Sequence, residues 1–192
     1  RKGSQSFYYS KESLNSFLKK AIRVKNIDIA KYCVEKGADA SLLSPFAIEN
    51  NNDSLMIFCL DNDANPNLYI KHAILNNKIE FLFLCIDKYG GSISKALSIS
   101  CLENNKEIAI NLLEKGANPN LPMLDMIINK DTAFISLLLK YDASAKGAGL
   151  INKSIEKQSL AIVKILVANG ADANDGIIKA IEKQSFEITS FL

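Results

Sequence analysis

The sequence predicts an all-α chain, a solenoid of stacked antiparallel helix pairs, and three observations carry that expectation. A turn motif recurs through the chain, as Lys36-Gly37-Ala38-Asp39, Asn62-Asp63-Ala64-Asn65, Tyr89-Gly90-Gly91-Ser92, Lys115-Gly116-Ala117-Asn118, Tyr141-Asp142-Ala143-Ser144 and Asn169-Gly170-Ala171-Asp172. Successive motifs lie 26, 27, 26, 26 and 28 residues apart, a period that marks repeat architectures. Apolar columns keep step with the turns, and no segment alternates apolar and polar residues long enough to be a strand.

Four columns run in register over seven units. One reads Ala21, Ala47, Ala73, Ser100, Met126, Ser154, Ala180, and the next residue reads Ile22, Ile48, Ile74, Cys101, Ile127, Ile155, Ile181. A third reads Ile29, Leu55, Phe81, Ile108, Phe134, Ile162, Ile188, and four residues on the fourth reads Cys33, Cys59, Cys85, Leu112, Leu138, Leu166, Leu192. In the opening unit the first helix is expected over roughly Leu18 to Val24 and the second from about Asp28 to Lys36. Ile29, Cys33 and Val34 then fall at helical spacing on one face. Gly, or an Asp that tolerates a left-handed backbone, follows each second helix, where a helix needs such a residue to stop. Asn65-Pro66-Asn67 and Asn118-Pro119-Asn120 then turn the chain, because Pro cannot continue a helix and Asn bonds its own backbone.

A lone unit cannot fold. Its few apolar side chains stabilise by less than the conformational entropy lost in ordering the segment, so neighbouring units must cover its faces.

Glu107-Ile108-Ala109-Ile110-Asn111-Leu112-Leu113-Glu114-Lys115-Gly116-Ala117-Asn118 resembles the second helix and turn of an ankyrin repeat. The T-P-L-H-x-A opening of that family is reduced to the Pro and an apolar third residue in Leu121-Pro122-Met123-Leu124-Asp125-Met126, and no unit has the histidine. The family repeat is about 33 residues. The residues missing here fall between the turn and the first helix, where the family's hairpin finger stands. The resemblance covers about residues 13–192, read as a single repeat domain of about seven units behind a leader over 1–12. Within the leader, Phe7, Tyr8 and Tyr9 are candidates to cover the edge of the first unit. The last unit stops at Phe191-Leu192 with the apolar faces of an interior unit, where a terminal repeat needs a polar outer face. The chain is therefore expected to continue in nature.

Composition narrows the partners. Apolar residues make up 48% of the chain, and 23 basic residues nearly cancel 21 acidic ones. Such a balance does not provide the broad basic footprint of a nucleic-acid or anionic-membrane binder. Basic residues lead nine to four over positions 1–40, a mild excess read as a solvated face. No apolar run approaches the roughly 18 residues of a membrane span, and no secretory signal is visible.

Catalytic and metal chemistry is not expected. Three of the four cysteines (Cys33, Cys59, Cys85) share one core column and Cys101 sits in a first-helix apolar column, so all are expected reduced, buried and inert in an intracellular, cytoplasmic protein. Close Cys/His pairs of the kind zinc requires do not occur. His72 is the one histidine and has no nucleophile at a useful spacing. Lys146-Gly147-Ala148-Gly149 lacks the phosphate-loop pattern and reads as a longer connection. Neither a cofactor nor a metal is expected, and the chain is read as a non-enzyme.

What remains is surface. In the ankyrin family partners commonly meet the concave face made by the fingers and first helices. The resemblance implies that the two residues after each first-helix apolar pair look into that groove. They are Arg23 and Val24, Glu49 and Asn50, Leu75 and Asn76, Leu102 and Glu103, Ile128 and Asn129, and Glu156 and Lys157, with Glu182 and Lys183 in the last unit. Tyr89 and Tyr141 stand at the rim before their turns. The middle units thus offer an apolar centre with aromatic anchors and a polar surround, as protein-binding sites do. An alternative register, aligning Cys101-Leu102 with Ala47-Ile48, places Leu102 in the core. The resulting expectation is a protein–protein interaction scaffold that takes a protein or peptide in its concave face, and no nucleic acid, membrane or metal. The alternative is a structural arm or packing segment of a larger protein.

Overall fold

The computed structural model describes residues 9–147 and 149–192, which fall in two compact units, 1–91 and 92–192. The described residues contain helices and turns and no strand. Phe7 and Tyr8 lie outside them.

Unit 1 holds three helix pairs: α1 (Lys11–Arg23) with α2 (Ile27–Glu35), α3 (Ser44–Glu49) with α4 (Asp53–Asp61), and α5 (Asn67–Leu75) with α6 (Ile79–Asp87). A 3-10 turn over Ala40–Leu42 leads into α3. Partners pack within each pair, and α3 also packs on α5. Unit 2 holds four: α7 (Ile93–Leu102) with α8 (Lys106–Glu114), α9 (Met123–Ile128) with α10 (Thr132–Lys140), α11 (Leu150–Glu156) with α12 (Leu160–Ala168), and α13 (Asn174–Glu182) with α14 (Phe186–Phe191). There α7, α9, α11 and α13 touch in succession, as do α10, α12 and α14.

The first helix is longer than its column pattern alone predicts. It starts at Lys11, inside the segment read as a leader, because Ser10 caps it by accepting the Ser13 amide at 3.2 Å and Leu14, Leu18 and Ala21 bury one continuous face. Tyr9 is exposed and meets Phe17 edge-on at 5.4 Å. The second helix matches its expected span within one residue, with Cys33 and Val34 buried and Ile29 exposed.

Every pair turns the same way. The residue after the first helix's C-cap is left-handed at Lys25, Asn51, Asn77, Asn104, Lys130, Gln158 and Gln184, with φ between 48° and 59°. The next amide reaches back to the Ala21 column: Asn26 N–H to the Ala21 carbonyl at 2.9 Å, Asn52 to Ala47 at 2.9 Å, Lys78 to Ala73 at 2.8 Å, Asn105 to Ser100 at 2.8 Å. This is a Schellman closure. The same residue also caps the second helix. Asn26, Asn52, Asn105 and Asp131 accept from the amide of the third-column residue (Ile29, Leu55, Ile108, Phe134) at 3.0–3.1 Å. One residue thus ends the first helix and starts the second.

Turns between pairs use Gly37, Asp63, Gly90, Gly116, Asp142 and Gly170 in the same left-handed conformation. The spacing of 27 is absorbed here. Gly91 N–H bonds the Cys85 carbonyl six residues back, where Ala38 bonds Cys33 five back. A Cβ on Gly91 would stand 2.8 Å from that carbonyl oxygen, so this turn requires glycine where the other units carry alanine.

Among the described residues the buried core is apolar apart from Ser44, Ser100 and Ser154, and the latter two donate to the Ala96 and Leu150 carbonyls of their own helices at 2.8 Å. Ser44 and Tyr69 are both fully buried, and their hydroxyls share a 2.5 Å hydrogen bond between the second and third pairs. The four cysteines are buried and free. Burial pushes the Cys85 and Cys101 thiols up to about 12; it also raises Cys59, where hydrogen bonds from Tyr69 and Ser44 act in the opposite sense.

Two stability predictions follow from these contacts. Tyr69→Phe leaves the Ser44 hydroxyl with only its long 3.5 Å bond to the Ala40 carbonyl and is expected to cost about 1–3 kcal/mol in urea unfolding, with the double change to Ser44→Ala recovering part of it. Lys130→Gly and Gln158→Gly relieve left-handed strain and are each expected to stabilise by about 1 kcal/mol, whereas Lys130→Val lowers the midpoint. A Lys130→Gly midpoint below that of the wild type contradicts the turn assignment.

Candidate functional site

The repeated turn places the candidate residues uniformly. Arg23, Glu49, Leu75, Leu102, Ile128 and Glu156 are the last residues of their first helices, and Val24, Asn50, Asn76, Glu103, Asn129 and Lys157 are the C-caps that follow. All are exposed except Lys157, which is half-buried. Leu102 is 52% exposed, which excludes the register that buries it. Leu75 is 56% exposed in unit 1.

Several of these residues already have work within the fold. The Asn50 and Asn76 amides donate to the Phe46 and His72 carbonyls of their own helices at 2.8 Å, closing helix ends. Glu156 accepts from Lys153 at 2.9 Å, a bond that lowers its carboxyl pKa, and lies 3.9 Å from Lys179.

Tyr89 and Tyr141 sit elsewhere. Tyr89 lines a cavity with Pro66 and Asn67, at the start of α5, whereas Leu75 ends that helix about 12 Å along its axis at 1.5 Å per residue. The Tyr89 hydroxyl donates to Asp61 at 2.6 Å and Lys88 lies 4.5 Å above its ring. Tyr141 caps α10 and donates to Glu114 at 3.4 Å. The two tyrosines thus share a role in joining successive second helices, and neither stands beside the first-helix end of its own pair.

Sequence reasoning passed over Leu121 and Leu124. Both are exposed: Leu124 and Ile128 lie one turn apart on α9, away from its buried Met123, Met126 and Ile127, and Leu121 lies in the bend just before the helix. Leu102 ends the neighbouring helix α7. The spacing Leu121-x-x-Leu124-x-x-x-Ile128 was the available signal, obscured because the same segment carries the partial match to the family's first-helix opening. In unit 1 the matching row on α5 is Leu68, Lys71 and Leu75.

His72 belongs to a polar cluster in unit 1. Its Nε2 lies 3.2 Å from the Asn51 Oδ1 and its Nδ1 lies 3.3 Å from the Asn76 Nδ2. Lys78, in the N-cap position of α6, lacks the acceptor of its counterparts. Its ammonium instead donates to Asn51 Oδ1 at 2.7 Å and to Asp53. Burial and then the Lys78 charge lower the His72 pKa, against the opposing pull of Asp53.

At the Lys146–Gly149 segment, Ala148 lies outside the described residues. Lys146 and Gly147 line a cavity with Asp172 and Asp175, whose carboxylates oppose an anion. Among the described residues no group of three His, Cys, Asp or Glu could hold a metal, and no helix is long and apolar enough to cross a membrane.

Compared with known proteins, the chain matches no protein-family model and no curated protein.

The histidine cluster predicts a pH response. Because the folded pKa lies below the unfolded value of about 6.5, the unfolded chain binds more proton in the window between them. Stability is full above about 6.5 and falls as pH drops through that window. With one histidine in the chain, His72→Gln is expected to remove this slope. Urea midpoints of both proteins at neutral and mildly acidic pH test it, and parallel profiles contradict it.

Proposed function

We propose that this chain is a protein-interaction scaffold, a solenoid of shortened ankyrin-like repeats that takes a protein or peptide on the outward rows of its first helices. The observation that carries the reading is the exposed apolar group of Leu124 and Ile128 on α9 and Leu121 just before it, with Leu102 ending the neighbouring α7. A surface helix normally turns polar residues outward, and a grouped exception marks a contact surface. Helix-lined rows of this kind accept an amphipathic helix or an apolar peptide, read at i, i+3, i+7. Glu103, Asn129, Arg23, Glu49, Glu156 and Lys157 are the polar candidates around such rows in their respective units.

The proposal makes the chain a binder and assigns it no reaction, cofactor or metal. Its thiols are buried with raised pKa values, and its histidine is engaged by amides. Near-balanced charge favours protein over nucleic acid or membrane as the partner. Free buried cysteines fit a reducing compartment, and the cytoplasm is the proposed location.

Panning a displayed random-peptide library against the chain tests the surface. Selected peptides are expected to carry apolar residues at helical spacing and to lose at least tenfold in affinity against Leu124→Glu or Ile128→Glu. Peptides that bind these variants as well as the wild type place the site elsewhere, and an empty selection overturns the reading.

A further inference from the structure

The outward face of the first helices changes its chemistry across unit 2, at two positions one turn apart. On α7 they are Ile99, half-buried, and Leu102, exposed. On α11 they are Lys153 and Glu156, joined at 2.9 Å, and on α13 Lys179 and Glu182, joined at 3.3 Å. Lys179 also stands 3.9 Å from Glu156, so these charges close among themselves. Between the apolar helix and the ion-paired ones lies α9, with Asp125 and Ile128, both exposed. Asp125 takes the position of the lysine, and isoleucine takes that of the glutamate.

No side chain among the described residues, Lys130 of the following turn included, pairs with the Asp125 carboxylate. Its neighbours on the face are apolar. Leu124 precedes it, Ile128 follows one turn on, and Leu121 lies in the bend before the helix. Glu103, the α7 C-cap that follows Leu102, gives the face a second negative charge.

This combination constrains what can cover the face. A segment seated on Leu124 and Ile128 removes water from the carboxylate between them. A carboxylate buried without a counter-ion is strongly disfavoured, whereas a guanidinium or ammonium brought by the partner replaces the lost water. An apolar segment with no basic residue gains little from the leucines, and an acidic one is repelled.

We propose that the α7–α9 face recognises a basic amphipathic helix, with its apolar stripe on Leu102, Leu124 and Ile128 and an arginine or lysine at the edge of that stripe paired with Asp125. The inference rests on the interaction-scaffold reading and adds the partner's charge to it. Charge complementarity selects the occupant, because unit 2 supplies no cation of its own to this carboxylate among the described residues. Arginine is the better match, since its planar fork holds both carboxylate oxygens and its weaker hydration suits an apolar surround.

Three synthetic helical peptides that share one leucine stripe, flanked by arginine, glutamine or glutamate, test this by fluorescence anisotropy. The arginine peptide is expected to bind the wild type about tenfold more tightly than the glutamine peptide, with the glutamate peptide weakest. Asp125→Asn is expected to bring the arginine and glutamine peptides within about twofold of each other, and Asp125→Arg to make the glutamate peptide the tightest. Glu107→Gln removes an exposed carboxylate from the second helix α8 and is expected to keep the wild-type order, which separates local from net charge. Leu124→Ser is expected to weaken all three peptides. Circular dichroism checks the fold of each variant. If no peptide binds, or binding ignores Leu124→Ser, the scaffold reading of this face and the present inference fall together. If binding needs Leu124 but ignores peptide charge, or Asp125→Asn keeps the preference for arginine, this inference alone is overturned and the scaffold reading stands.

Discussion

The turn inside each helix pair is the constraint on which the rest depends. Its left-handed residue reverses the chain, its 6→1 hydrogen bond closes on the Ala21 column, and its next side chain opens the second helix. Backbone groups that helix ends leave unpaired are satisfied here within a few residues. The first-helix carbonyl at the column comes close under the turn, which suits the small residues found at most of its positions. The third column then falls at the third residue of the second helix, where it meets the neighbouring pair. A shift of one residue in the turn would swing that side chain out of the interface and leave the cap without its amide.

Polar links between pairs follow from the same geometry. Asp39, Asn65, Asn118 and Asp172 each bond the amide two residues on, fixing the turns between pairs at 2.9–3.0 Å. Two side chains accept amides from the turn that follows: Asn15 on α1 from Asp39 at 2.7 Å, and Asn120 from Ser144 at 2.7 Å. These bonds hold neighbouring loops in register without a strand. In unit 1 Lys78 replaces a missing cap with an ionic link to the preceding pair, and Ser44–Tyr69 fixes the same two pairs through the core.

The helix pairs were legible in the sequence because burial is periodic and the second-helix turns announce themselves with Gly or Asp. Cysteine burial followed from column membership alone. Asn51, Asn77 and Asn104 suit the left-handed backbone of their first-helix turns, but Lys25, Lys130, Gln158 and Gln184 carry no preference for it, so those turns were not legible and are held by the hydrogen bonds on either side. The extra turns of α1 were hidden by its unique sequence, which no other unit repeats. At the surface, Leu75 and Leu102 are exposed, and for Leu102 the sequence left two registers open. The grouping of Tyr89 with Leu75 did not survive, because residues before a turn and residues ending a first helix occupy opposite ends of an antiparallel pair.

The distance from the Ala21 column to the Ile29 column is eight residues in all seven pairs, while the distance between successive turns varies from 26 to 28. Length change is thus tolerated in one class of connection and absent from the other. A lineage built on this plan gains and loses material in whole helix pairs or as small insertions between them, and the hairpin itself descends as an indivisible unit.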